Sequence, residues 1–263
     1  MKNNKLQVLT FLYHEVVNAP EDSGFQRKSA LPYKHGIEEF EENINIIVKN
    51  SEEITTIDKI GDCESPRVTL LAFDDGGKSA MHIATVLEKH NVRGHFFITT
   101  SLIGDKYFLD EKQIIDLHNR GHIIGSHSHL HPNVFKSLSH AEMRKEWSES
   151  KRILEEILKT RVDTCSIPGG DDNEDTYTSA HETGYRYIFN SDPTTALKYH
   201  KDMMIIGRIC PKTGTDYAKI ESLSKYKGIR TERFKRVFKN TVKSLIFPIY
   251  SKIHNSSKHE GKA

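Results

Sequence analysis

Val68-Thr69-Leu70-Leu71-Ala72-Phe73-Asp74-Asp75-Gly76-Gly77 is the stretch on which the reading of this chain turns. The β-branched, aliphatic and aromatic run from Val68 to Phe73 predicts a strand, two carboxylates end it, and two glycines break it. Neighbouring residues of an extended strand point to opposite sides, but a glycine turn lets the backbone swing both carboxylates into one pocket. About fifty residues later His127-Ser128-His129-Leu130-His131-Pro132 closes a second apolar run, Ile123 to Ser126. Two histidines four apart converge on one ion if the chain turns after the first. One carboxylate and two imidazoles make three metal ligands, leave positions open for water and substrate, and spare the second carboxylate as a base, the inventory of a metal-assisted hydrolase. Either string alone is weak, since Asp-Asp-Gly is a common turn and a stretch rich in histidine can be a polar surface loop. Their order and their matching positions at strand ends make the combination specific.

Working outward, further strands are expected near Val8 to Tyr13, His95 to Thr99, Thr164 to Ile167, Arg186 to Asn190 and Ile205 to Ile209. Helical stripes lie between them: Ile37, Phe40, Ile44 and Ile47 in one, Met81, Ala84 and Leu87 in another. The longest helix is expected from Leu138 to Leu158, with Ser139 as N-cap and Glu142 at capping-box spacing. Alternation of this kind predicts parallel strands wrapped by helices. In an α/β barrel the strand C-termini form the active face, which is where both opening strings fall. With 263 residues, 36% hydrophobic and 28% charged, the chain is long and apolar enough for one sizeable core and is neither disordered nor fibrous.

Cys63, Cys165 and Cys210 are odd in number and contain no paired CxxC, which argues against a disulfide framework or a cysteine zinc site. The apolar run after Lys5 is too short for a signal core, and no run is long enough to span a bilayer, so a cytoplasmic location is expected. Charge is uneven: from Lys225 onward there are eleven Lys and Arg against two acids, Glu232 and Glu260, while the rest of the chain is net acidic. The expected division is therefore a barrel over 1–224 and a basic amphipathic extension over 225–263. Phe234, Val237, Phe238, Val242, Leu245 and Ile246 fall at helical spacing in that extension. The first expectation for this stripe is packing on the barrel, the second peripheral contact with the inner face of a membrane. Nucleic-acid binding is not expected, because no recognition module is present.

These residues resemble the polysaccharide deacetylases of carbohydrate esterase family 4, which share a domain with chitooligosaccharide deacetylases. The family's Thr-Phe-Asp-Asp-Gly matches Ala72 to Gly76 apart from Ala72, and its His-Ser/Thr-x-x-His-Pro matches His127 to Pro132 completely. Tyr13-His14-Glu15-Val16 looks like the start of many such domains, and the likeness runs from about Leu9 to Ile209. It implies a distorted (β/α) barrel of about seven parallel strands, with Asp74 as general base and Asp75, His127 and His131 as metal ligands. The third motif, Arg-x-Pro-x-Gly, is only partly kept in Ser166-Ile167-Pro168-Gly169-Gly170. It implies that Pro168 and Gly169 face the substrate, with the Gly169 backbone as oxyanion donor, but Ser166 stands where an arginine normally braces the base. The fourth and fifth motifs, with their Asp-Trp pair and acid histidine, are not recognisable. Arg208 is a candidate brace and His14 a candidate acid or supporting group.

The expected function is removal of N-acetyl or O-acetyl groups from an amino-sugar polysaccharide or its lipid-linked precursor. Zinc is the first expectation for the ion, because two imidazoles and a carboxylate suit it; cobalt, nickel and manganese are also compatible. The alternatives are hydrolysis of another C–N bond, such as a cyclic imide or ureide, on the same barrel, or a non-catalytic glycan-binding relative. An intact Asp74 speaks against the last, since binding alone needs no free base.

Overall fold

The computed structural model describes residues 6–238 and 241. Its strands are β1 (Gln7–Tyr13), β2 (Glu15–Val16), β3 (Lys34–His35), β4 (Glu53–Ile54), β5 (Arg67–Phe73), β6 (His95–Ile98), β7 (Ile123–Ser126), β8 (Thr164–Ser166), β9 (Tyr187–Phe189), β10 (Lys198–His200) and β11 (Met203–Ile206). Its helices are α1 (Ile37–Asn50), α2 (Ala80–Lys89), α3 (Glu111–Asn119), α4 (His140–Leu158), α5 (Glu174–Glu182) and α6 (Tyr217–Ser224). Seven strands run parallel, as expected, and their order is β1-β5-β6-β7-β8-β9-β11, with short β4 beside β5 and β10 antiparallel to β11. The sheet then closes on itself. Ile209, just past β11, bridges Phe11 of β1 in parallel, while Ala196, just before β10, bridges Gln7 in antiparallel. Two single bridges in place of a continuous strand pair make the barrel distorted.

Strand alternation sorts the core into two layers. Leu9, Phe11 and Tyr13 of β1, with Leu71 and Phe73 of β5, pack outward on helix residues such as Phe40, Ile44, Ile83, Leu87, Trp147 and Leu154. Val8 and Leu12, with Val68, Leu70, Ala72, Phe97, Phe189 and Ile206, fill the barrel interior. Parallel strands covered on both faces have to be apolar nearly throughout, which is why β1 and β5 each leave only their first residue exposed. Helix α4 starts as its sequence predicts: Ser139 Oγ accepts from Glu142 N and Glu142 Oε2 accepts from Ser139 N at 2.8 Å. All three cysteines are free thiols, and no helix among the described residues is long and apolar enough to cross a membrane.

One expectation fails at the C-terminal end. Residues 229–238 are helical, but the described part of the apolar stripe does not pack on the barrel: Phe234, Val237 and Phe238 are 71%, 56% and 63% exposed. The cationic side packs instead, because the barrel mouth offers it acceptors. Arg236 Nη2 donates to Gly170 O at 2.6 Å and Arg233 Nε lies 3.4 Å from Asp192 Oδ1. Apart from Thr241, the extension from residue 239 onward, including Val242, Leu245 and Ile246, lies outside the described residues.

Candidate metal and catalytic centre

The inward register of the strands builds the floor of the site. One step beyond the inward residues Ala72 and Ile206 come Asp74 and Arg208, and the same two-residue step carries Leu12 to His14, Gly125 to His127 and Thr164 to Ser166. An apolar barrel interior thus ends in a polar layer at its C-terminal mouth. His14, Asp74, His127 and Arg208 line a cleft of about 740 Å³ there, together with Asp75 and His131.

Asp75 should point away from the cleft by strand alternation, and it does not. Its backbone is left-handed (φ 80°), as is that of Gly76 (φ 79°), so the strand breaks at Asp75 itself, one residue earlier than the glycines suggested. The strain of a non-glycine residue there is held by close packing. A Cβ on Gly76 would meet Ile98 Cα at 3.2 Å, and one on Gly77 would overlap Glu15 Oε1 at 1.9 Å.

Asp75, His127 and His131 meet as expected, all buried, with donor atoms within 4.8 Å of one another. Asp75 Oδ1 is 3.5 Å from Nε2 of both histidines. Ligands about 2.1 Å from a tetrahedral ion lie roughly 3.4 Å apart, so this spacing fits a metal. The tautomer fits too: His127 Nδ1 faces Ser166 O at 3.0 Å and donates to it, which leaves Nε2 as a lone-pair donor. His131 has a left-handed backbone (φ 53°), as does Ser128 (φ 62°). A buried carboxylate holds this turn: Glu146 Oε2 accepts from His129 N at 2.9 Å and Leu130 N at 2.7 Å, while Ser128 Oγ accepts from His131 N at 3.1 Å.

Asp74 stands beside the three ligands without joining them. Arg208 Nη1 donates to its Oδ1 at 2.8 Å, and Ser166 Oγ reaches both oxygens at 3.0 and 3.1 Å. Arg208 thus lies where a brace for Asp74 was expected, reaching it from a strand across the barrel with Nε anchored on Asn190 O at 2.8 Å. Burial alone would raise the Asp74 pKa, but Arg208, His127 and His14 outweigh it and hold the carboxyl below its usual range. Burial acts likewise on Asp75, and the neighbouring histidines overcome it further. Among the imidazoles, burial and the His127 charge push His131 down to about 4, so it is neutral near pH 7. His127 is raised, because Asp74 and Asp75 outweigh its burial, whereas in His14 burial prevails and the pKa falls.

The third motif forms a tight turn over Pro168–Gly170 in which Gly169 and Gly170 take φ of 66° and 68°. Gly169 lines the cleft; Pro168 is buried behind it and does not, a correction to its expected place at the substrate. The proline ring supports the turn and presents its neighbour. Asp171 reaches the rim of the cleft, while His200 pairs with Glu174 at 3.1 Å outside it.

Several contributors were missed. Glu146 shares the buried face of α4 with Met143, Trp147, Ser150 and Leu154, and an acid on an otherwise inward-facing stripe is the signal that could have found it. Glu15, next to the quoted His14, accepts from Ser79 Oγ at 2.5 Å and Gly24 N at 3.2 Å. It ties the 17–33 segment to the turn after β5, and burial pushes its carboxyl up to about 7. That segment supplies a wall of the cleft, with the Phe25 ring 4.7 Å from that of His131.

Fold and site together define an α/β barrel whose mouth holds a carboxylate and two histidines in metal-ligand geometry, with a second carboxylate beside them. Residues 61–188 match the family model described as polysaccharide deacetylase. The chain is 30% identical over 135 residues to YxkH of Bacillus subtilis (strain 168), whose name assigns it provisionally as a polysaccharide deacetylase; the match covers 50% of this chain and 47% of that protein. It is 29% identical over 105 residues to the peptidoglycan-N-acetylmuramic acid deacetylase PdaA of the same organism, covering 39% of this chain and 34% of the relative. The chain thus matches half or less of the length of these proteins. Among solved structures, the polysaccharide deacetylase BC0361 from Bacillus cereus matches with a TM-score of 0.70 at 19% identity, over 84% of this chain and 70% of that one. The Streptococcus pyogenes deacetylase PplD, solved in complex with acetate, gives 0.70 at 17% identity, over 84% and 98%. Such identities establish the shared fold. The resemblance to polysaccharide deacetylases is thereby shown, and the matched segment includes Asp74, Asp75, His127, His131 and Ser166 but neither His14 nor Arg208.

Proposed function

We propose that this chain is a metal-dependent hydrolase that removes acetyl groups from the amino sugars of a glycan. Asp75, His127 and His131 would hold the ion, for which zinc is the first choice. When bound, it supplies Lewis acidity toward the acyl carbonyl and lowers the pKa of water. Asp74, kept anionic by Arg208 and Ser166, is the base that takes the water proton as the oxygen attacks the carbonyl carbon. Oδ2 is the oxygen for this, since Oδ1 is engaged by Arg208. The Gly169 backbone at the cleft wall is assigned to the carbonyl oxygen as charge develops there. When the C–N bond breaks, the amine leaves with a proton, and we assign its delivery to Asp74, because burial keeps His14 neutral and a poor acid. A carboxyl whose pKa is held low gives up its proton readily.

The observation that carries this reading is the division of labour between two adjacent carboxylates, Asp75 within the ligand triangle and Asp74 outside it on its own arginine. Elemental analysis of the purified chain, followed by acetate release from a panel of N-acetylated and O-acetylated sugars, tests it. A metal-loaded chain that releases acetate from none of them contradicts the proposal. We also read the exposed Phe234, Val237 and Phe238, with exposed Arg230 on the same helix, as support for peripheral contact with an anionic membrane on its inner face. Co-sedimentation with anionic vesicles, with and without residues 225–263, tests that reading, and equal pelleting rejects it.

A further inference from the structure

Most of the described arginines elsewhere on this molecule find carboxylates: Arg120 pairs with Glu88 and Asp116, Arg152 with Glu149 and Glu156, Arg67 with Glu52. The cleft is different. Arg27, Lys212 and Arg236 line it from three separate parts of the chain, and among the described residues none of them makes an ion pair. Each is positioned by a neutral group. Arg27 Nη1 donates to Asn133 Oδ1 at 2.7 Å with its guanidinium 4.9 Å from the Phe25 ring centroid. Arg236 is held on the Gly170 carbonyl, and the Lys212 ammonium lies 5.8 Å from the Tyr33 centroid. The acids of the same cleft are mostly engaged: Asp74 with Arg208, Asp75 with the histidines, and Glu232 with Lys219 and Lys235 at 3.1 and 3.2 Å. Among the described cleft carboxylates only Asp171 and Glu15 make no ion pair, and Glu15 is held by Ser79 Oγ and Gly24 N with burial pushing its carboxyl up to about 7.

Resting on the deacetylase reading above, we propose that the substrate is acidic, carrying an anionic group on the unit next to the acetylated sugar, and that Arg27, Lys212 and Arg236 receive it. Three like charges around one concavity, none of them paired with the carboxylates that share it, raise the local concentration of an anion and hold it by charge-assisted hydrogen bonds. Arg27 and Arg236 can each present two parallel N–H groups to a carboxylate or phosphate. Packing on Phe25 and Tyr33 limits the freedom of two of the cations, so less is lost when they bind.

The test is calorimetric titration of the full chain with three probes: chitotetraose N-acetylated on every unit and therefore neutral, a hyaluronan tetrasaccharide bearing carboxylates, and UDP-N-acetylglucosamine bearing a diphosphate. Acetate is assayed in the same samples. At least one acidic probe is expected to bind about 10-fold or more tighter than chitotetraose at low salt, and the two acidic arms tell a uronate from a phosphate source. The preference is expected to shrink to about 2-fold when sodium chloride rises to about 0.5 M, and likewise in the Arg27→Gln/Lys212→Gln/Arg236→Gln variant. Lys212→Gln alone, at an exposed position, gives an intermediate value should the triple variant fold poorly. Equal binding of all three probes, or a preference that ignores both salt and substitution, overturns the inference even if acetate is released. A salt-sensitive acidic preference without acetate release from any probe upholds the anion site while counting against the proposed reaction.

Discussion

The floor and the rim of the cleft are built on different principles. Floor residues Asp74, His127, Ser166 and Arg208 continue the inward register of β5, β7, β8 and β11, so a sheet whose interior is fixed by Leu12, Ala72, Phe97 and Ile206 also fixes them. Rim residues Phe25, Arg27, Tyr33 and Arg236 stand on a loop and a terminal helix, held by single hydrogen bonds and ring contacts. The floor therefore carries chemistry, where misplacement by an ångström is costly. The rim carries recognition, where adaptability is tolerable.

Substitutions that break the floor should have the largest effects. His127→Ala removes a ligand held in orientation by Ser166 O, and metal content is expected to fall from about one ion per chain to almost none, as elemental analysis reads it. Arg208→Ala leaves Asp74 a buried charge without its partner. Stability should drop by about 3 to 5 kcal/mol, measured by urea unfolding, and acetate release should fall by roughly 100-fold. Arg208→Lys should not restore either, because one ammonium cannot reach both Asp74 and the Asn190 carbonyl as the guanidinium does.

Glu15 joins the two regions and gives the next effect. In the folded chain it holds a proton up to about pH 7, whereas in the unfolded chain it loses that proton near its ordinary 4.5. Between these values the folded state binds more protons, so raising the pH disfavours folding, by about 3 kcal/mol in all. Glu15→Gln lacks this term. Its unfolding free energy relative to the parent should therefore rise by that order between pH 4.5 and 8, and parallel pH profiles would refute the account of Glu15. At the rim itself, Phe25→Ala is expected to raise KM by roughly 3-fold and leave metal content unchanged. Loss of metal in that variant would show that the rim is part of the floor.

How much of this was legible follows the same line. Asp75, His127 and His131 were readable because their chemistry needs particular residue types at short spacing, and the seven parallel strands because apolar runs alternate with capped helices. The early break at Asp75 was not readable, since a left-handed backbone at aspartate is imposed by the packing of Gly76 on Ile98 and Gly77 on Glu15. Arg208 could be named as a candidate brace but not placed, because its contact with Asp74 spans 134 residues and depends on barrel closure through Ile209. Pro168 was placed wrongly for a related reason: a motif marks a turn, but the burial of each residue in it is set by what the turn packs against. The exposure of Phe234, Val237 and Phe238 escaped periodicity, which finds a stripe without saying which face meets the protein.

The central claim is that Asp75 binds metal while Asp74, its neighbour in sequence, does not and serves as the base. Asp74→Asn measured for metal content and acetate release in one preparation tests it most directly. The account predicts parental metal content and a loss of turnover of about 1,000-fold; loss of the metal, or acetate release near the parental rate, would contradict it.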